Sequence, residues 1–171
     1  GKVVKEDVPD HSGIIYSIDH DKELQGNSVF LAFKHKAYTP NQRKYIGYWR
    51  DLNKTNAALN MLNIRFDDEA LKPDCSYLSA SVDDDDYFLS STKAAFHISC
   101  NTKDGMQTKA LTDALIECRR AVDYGFTEEE YKRYQAERLS QLDNFLMSAD
   151  KRESSTLVSE YYHNYLYGTD I

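Results

Sequence analysis

The stretch YGFTEEEYKRYQAERL, residues Tyr124–Leu139, decides how the second half of the chain folds. Before it, Leu111, Ala114, Leu115, Cys118 and Val122 recur at steps of three and four, which is the period of a helix with one apolar face. Gly125 stands where a glycine ends such a helix. Thr127 then precedes Glu130 by three residues, a capping box: the Thr hydroxyl accepts from the amide of residue 130, and the Glu carboxylate reaches back to the amide of Thr127. Phe126 and Tyr131 occupy the staple positions around that start. Glu128 and Glu129 fall in the first turn, where carboxylates complement the helix dipole. The acidic triplet therefore reads as punctuation between two helices, not as an acidic catalytic site.

Downstream, Tyr131, Tyr134, Leu142, Phe145, Leu146 and Ala149 form a second apolar stripe. ESSTLVSEYYHNYLYG reads as a third helix ending at Gly168. Upstream, CSYLSASVDDDDYFLSSTKAAFHISCN reads as two strands. Leu78, Ala80 and Val82 alternate with Tyr77, Ser79 and Ser81, and Ala94, Phe96, Ile98 and Cys100 share one face. Asp83–Asp86 is expected to be a solvated loop between them. Further upstream, Thr39 before Pro40 predicts a capped helix start, and the apolar spacing from Tyr45 to Phe66 continues the helix until Pro73. Gly47 marks a break or a close contact there. GIIYSID (Gly13–Asp19) and SVFLAFKHK (Ser28–Lys36) read as two strands joined by a turn through Gly26. Residues 1–12 read as a polar lead-in, with Gly1 a cloning remnant, and residues 13–168 as one domain of a larger protein. The order predicts an α+β fold, a mostly antiparallel sheet backed by long helices.

The 171 residues carry 21 Lys and Arg against 28 Asp and Glu, a formal charge of −7. That balance disfavours nucleic acid or an anionic membrane as the main partner, since phosphate binding needs a basic face. No run of 18 apolar residues occurs, so no membrane span is expected. Cys75, Cys100 and Cys118 show no C-x-x-C spacing and read as small buried thiols.

No complete catalytic set is visible. His20-Asp21-Lys22-Glu23-Leu24 comes near the zinc-peptidase pattern H-x-x-E-H, but Leu24 replaces the second histidine. Two histidines one turn apart are what grip the metal, with Glu as general base, and one His cannot begin a three-ligand site. Asp83–Asp86 lacks the glycine and spacing of a calcium loop. His11, His35, His97 and His163 are scattered, and neither a nucleophile elbow nor a glycine-rich phosphate loop is present. No catalytic and no metal-binding residue is assigned to this chain.

ALTDALIECRRAVDYGFTEEEYKRYQAERLSQLDNFL resembles the helix–turn–helix of insulinase/pitrilysin-type zinc metallopeptidases, with Gly125, Phe126, Thr127, Glu130 and Tyr131 in register. NAALNMLNIRFDDEALKPDCSYLSASV, HISCNTKDGMQTKALTDAL and SEYYHNYLYG resemble the helix, strand and closing helix of the same domain type, so the resemblance covers residues 13–168. It implies the mitochondrial-processing-peptidase-like metallohydrolase fold, and the subtype is similar to the large bacterial members built of four like domains. In that family the zinc ligands and base lie in H-x-x-E-H plus a downstream Glu. A chain without them is expected to be a non-catalytic substrate-chamber domain, with zinc held by an upstream domain. The expected partners are other domains of the same polypeptide and a peptide substrate. Family analogy favours the periplasm or cell envelope. Related domains contact substrate through an R-x6-Y pair, whereas here Arg65 is followed at seven residues by Lys72, and the next tyrosine is Tyr77. Arg65 and Tyr77 are thus only weak substrate-binding candidates, and Arg65 is expected to pair with Asp67 to Glu69. Two other readings stay open: a domain of an inactive relative acting as scaffold or assembly subunit, and an unrelated α+β interaction domain.

Overall fold

The computed structural model describes residues 7–24, 26–88, 90, 92–151 and 154–167. They form an α+β structure with strands β1 (Asn27–Lys36), β2 (Tyr77–Asp86) and β3 (Lys93–Thr102). The helices are α1 (Pro40–Arg43), α2 (Ile46–Ala70), α3 (Gln107–Tyr124), α4 (Glu128–Ser148) and α5 (Ser154–Tyr167), with a 3₁₀ turn at Ala149–Lys151. The chain divides into two compact units, Gly1–Ala37 with Ala58–Gly125, and Tyr38–Ala57 with Phe126–Ile171.

The first unit holds the sheet. Its order is β1-β3-β2, antiparallel throughout. Period-2 alternation gives it two unlike faces. Val29, Leu31, Ile98, Cys100, Ala80 and Val82 fall on the face that packs against α3. Phe66, Ile98 and Cys100 are its largest fully buried side chains, and Phe66 meets Tyr77 edge to face at 6.2 Å. α3 presents Ala110 and Ala114, both fully buried, so the helix lies close to the sheet. Of the expected stripe Ala114 is buried and Leu111 and Cys118 are half-buried, whereas Leu115 is partly exposed and Val122 largely exposed, and Ala110 joins the buried face. Every buried apolar residue described belongs to this unit.

The second unit is helical. Thr39 caps α1 through a box with Gln42, and Pro40 is at N1. The chain breaks at Lys44–Tyr45, just before Gly47, and restarts as α2. Tyr48 packs edge-on to Tyr38 at 5.0 Å and to Trp49 at 5.3 Å. Thr127 and Glu130 form both bonds of the expected capping box, at 3.2 and 2.6 Å. Gly125 ends α3 with φ 70°, a left-handed value that favours glycine. The α4 stripe buries no residue. The expected end of the last helix at Gly168 lies outside the described residues.

Two strand assignments are corrected. Gly13–Asp19 is not a strand: it has no pairing partner, and Ile14, Ile15, Tyr16 and Ile18 are exposed. Composition favours a strand there, but a strand exists only where a neighbour supplies hydrogen bonds, and β1 pairs with β3. Asp83–Asp86 is not a loop: it is the end of β2, in register with Ala94 to His97. The lead-in is also not loose throughout, since Pro9 and Asp10 bond to lysines of the sheet.

Candidate functional site

The face of the sheet opposite α3 carries the polar and aromatic side chains. Cross-strand register sets them in rows: Phe30 beside Ser99, Ala32 beside His97, Lys34 beside Ala95, Lys36 beside Lys93, and Asp83 on the far side of His97. His97 Nδ1 lies 2.7 Å from Asp83 Oδ1. A carboxylate can only accept, so Nδ1 carries the proton of this bond. The His97 ring packs against Phe30 at 5.1 Å, Phe30 against Phe88 at 6.1 Å, and Phe88 against Tyr87 at 4.7 Å. Phe88 sits at φ 51° in the β2–β3 turn, a rare conformation for a bulky residue and one found where a loop is held for a purpose. Lys34 Nζ lies over the Tyr87 ring at 5.4 Å. A continuous aromatic stripe thus runs from His97 to Lys34.

At the end of that stripe, Asp7, Asp10, Lys34, His35, Lys36, Thr92 and Lys93 line an open cleft. Lys93 Nζ donates to Asp10 Oδ1 at 2.7 Å, and Lys34 Nζ donates to the Pro9 carbonyl at 2.9 Å. The hydrogen bond and charge of Lys93 hold the Asp10 carboxyl below the usual range, and the same bond raises Lys93 against its burial.

On the other face His35 Nε2 meets Asp84 Oδ1 at 2.7 Å. The acidic run is therefore split by alternation, with Asp83 given to a histidine on one face and Asp84 to a histidine on the other. The two outer strands also differ. Asn63 of α2 donates from Nδ2 to the Val82 carbonyl at 3.0 Å and accepts the Val82 amide at 2.8 Å. Its carboxamide does for β2 what a neighbouring strand would do. Among the described residues no such clamp covers β1.

The residues named from sequence lie elsewhere. Arg65 Nη1 bonds to Glu117 at 3.1 Å and Nη2 to the Gly125 carbonyl at 2.9 Å, joining α2 to the end of α3. Tyr77 is 2 % exposed on the core face, and burial pushes its hydroxyl pKa upward. Neither reaches the aromatic stripe: Arg65 points to α3 and Tyr77 to Phe66. His20 and Glu23 sit in an exposed turn whose amides bond to Asp19 and Asp21. Among the described residues no three His, Cys, Asp or Glu side chains come together as a metal site. Cys75, Cys100 and Cys118 are free, and burial raises the Cys100 and Cys118 thiols to about 11, which leaves them protonated and poorly nucleophilic at neutral pH. The His97, Phe30 and Lys93 face was not singled out in the sequence. Its signal was the alternation itself, since His97 falls between Phe96 and Ile98 and so points away from the core.

No protein-family model matches the chain, and no curated protein matches it. Solved structures do. The chain is similar to the periplasmic protease PqqL from Escherichia coli, with TM-score 0.72 and 15% identity over 88% of this chain and 16% of that one. Against the first half of the same protease the TM-score is 0.70 at 16% identity, over 87% of this chain and 31% of that one. A predicted insulinase family protease from Yersinia pestis gives TM-score 0.67 at 16% identity, again over 87% and 31%. The chain therefore has the α+β fold found in insulinase-type proteases. It spans from about a sixth to a third of the chains it resembles. Among the described residues no helix is long and apolar enough to cross a membrane.

Proposed function

We propose that this chain is a non-catalytic domain of an insulinase-type zinc endopeptidase, forming part of the wall of the chamber that holds the peptide. The observation that carries the reading is the fold match over 87–88% of the chain to protease structures several times its length. The absence of H-x-x-E-H from the 171 residues supports a non-catalytic role, with the zinc and its water-activating chemistry supplied by an upstream domain. On the sheet face opposite α3, Phe30 and Phe88, both exposed over the buried His97, offer apolar contacts to an extended peptide. The outer edge of β1 offers backbone groups for strand addition, while Asn63 takes that role at Val82 of β2. A periplasmic location follows by analogy with PqqL.

The test is zinc analysis with a peptidase assay on the purified chain, together with the reading frame upstream. The expected result is no stoichiometric zinc, no cleavage, and H-x-x-E-H upstream. One tightly held zinc per chain would overturn the assignment. A degenerate upstream motif would instead select an inactive scaffold relative.

A further inference from the structure

We propose that the cleft between the ends of β1 and β3 is a carboxylate-binding site for an acidic peptide segment, and that Asp10 is its resident, displaceable occupant. This inference does not rest on the peptidase reading.

Three lysines meet there. Lys36 and Lys93 are direct cross-strand partners, and Lys34 lies on the same face two residues along. Like charges set directly opposite in a sheet repel, so such an arrangement persists where an anion offsets it. The surrounding chain carries a net charge of −7, so a knot of three lysines stands out against its setting. Lys93 is the centre of the knot. Its side chain is only 11% exposed, whereas that of its partner Asp10 is 79% exposed. A desolvated ammonium needs a carboxylate, but the carboxylate supplied is held at the surface. Among the described residues one further bond holds the segment, from Lys34 Nζ to the Pro9 carbonyl. Lys34 also lies over the Tyr87 ring, which holds its cation beside the cleft. Among the described residues Lys36 has no ion-pair partner, so the cleft can take a second carboxylate without losing an existing pair.

An acidic peptide would present to Lys93 what Asp10 presents now, a carboxylate beside a backbone carbonyl in an extended segment. Residues Asp7–Ser12 (DVPDHS) already have that form: Asp10 binds Lys93, the preceding carbonyl binds Lys34, and Asp7 lines the same cleft. Binding of an outside peptide then means exchange of one such segment for another.

The experiment uses the whole 171-residue chain and a fluorescent synthetic DVPDHS peptide, with DVPNHS as control, by anisotropy at low and moderate salt. The Asp10→Asn chain is expected to bind DVPDHS at least tenfold more tightly than the unaltered chain, because its internal competitor is gone. Binding should weaken with salt and be lost with DVPNHS and in the Asp10→Asn, Lys93→Met chain. Equal affinity of the Asp10→Asn and unaltered chains, no binding to either, equal affinity for the two peptides, or unchanged binding in Lys93→Met would each overturn the proposal. If Lys93→Met does not fold, Lys34→Gln with Lys36→Gln, both at the rim, replaces it with the same expected loss. Failure here leaves the zinc and upstream-motif test untouched.

Discussion

Asp113 shows how a single side chain ties a strand entrance to a helix. Its Oδ2 accepts from Ser76, which is buried just before β2, and from Lys109 one turn back on α3, both at 2.6 Å. Those bonds, from Lys109 first and Ser76 second, hold the Asp113 carboxyl below its ordinary range. A carboxylate with a depressed folded-state pKa adds stability above its unfolded value, near 3.9, and loses it as pH falls through the folded value. Asp113→Asn should therefore cost about 1 kcal/mol at pH 7, and urea titrations should show the gap closing as pH drops below about 4. A gap that stays constant to pH 2 would refute the assignment. Arg65 acts at the same scale. Its guanidinium holds the Gly125 carbonyl at the negative end of α3.

At the scale of elements, Asn63 carries the sharpest prediction. It satisfies both backbone groups of Val82 on the outer edge of β2. Asn63→Leu keeps the volume close to constant but orphans one amide and one carbonyl. The expected loss is about 2 kcal/mol, with faster hydrogen exchange at Val82 than at its neighbours. An unchanged urea midpoint would show that water replaces the carboxamide freely. What was legible in the sequence at this scale was local. The caps at Thr39 and Thr127, and the stop at Gly125, depend on residues within four positions of each other, so spacing alone reveals them. What was hidden is non-local. Arg65 finds Glu117 at a separation of 52 residues, and His35 finds Asp84 at 49. Asp83–Asp86 reads as a loop because its composition disfavours strands, yet register with β3 and two histidine partners outweigh that preference. Gly13–Asp19 errs the other way: it has the composition of a strand and no neighbour.

For the whole molecule, the uneven burial sets the order of opening. All the buried apolar residues described lie in the unit built on the sheet, and α4 buries none. Regions with few buried contacts open at low free energy, while core strands open near the global limit. Native-state hydrogen exchange should therefore place β3 and the first turns of α3 slowest and α4 and α5 fastest, by two orders of magnitude or more in protection, an estimate that corresponds to roughly 3 kcal/mol. Equal protection across the chain would contradict it. The fold class and the helical hairpin were readable from the sequence because both follow from hydrophobic period and capping. The division into two units was not, because it depends on which apolar stripes find a partner.

The clamp at Val82 has a last consequence, for assembly. A three-stranded sheet with two free edges can add copies of itself at both sides and grow without limit. Here β2 is blocked at Val82 by a side chain and carries four successive aspartates beyond it, which repel a second acidic strand. Pairing between copies is therefore expected at the β1 edge, where among the described residues no such clamp stands. A two-fold β1-to-β1 contact would use up that edge on both partners, so strand pairing through β1 is expected to stop at a dimer.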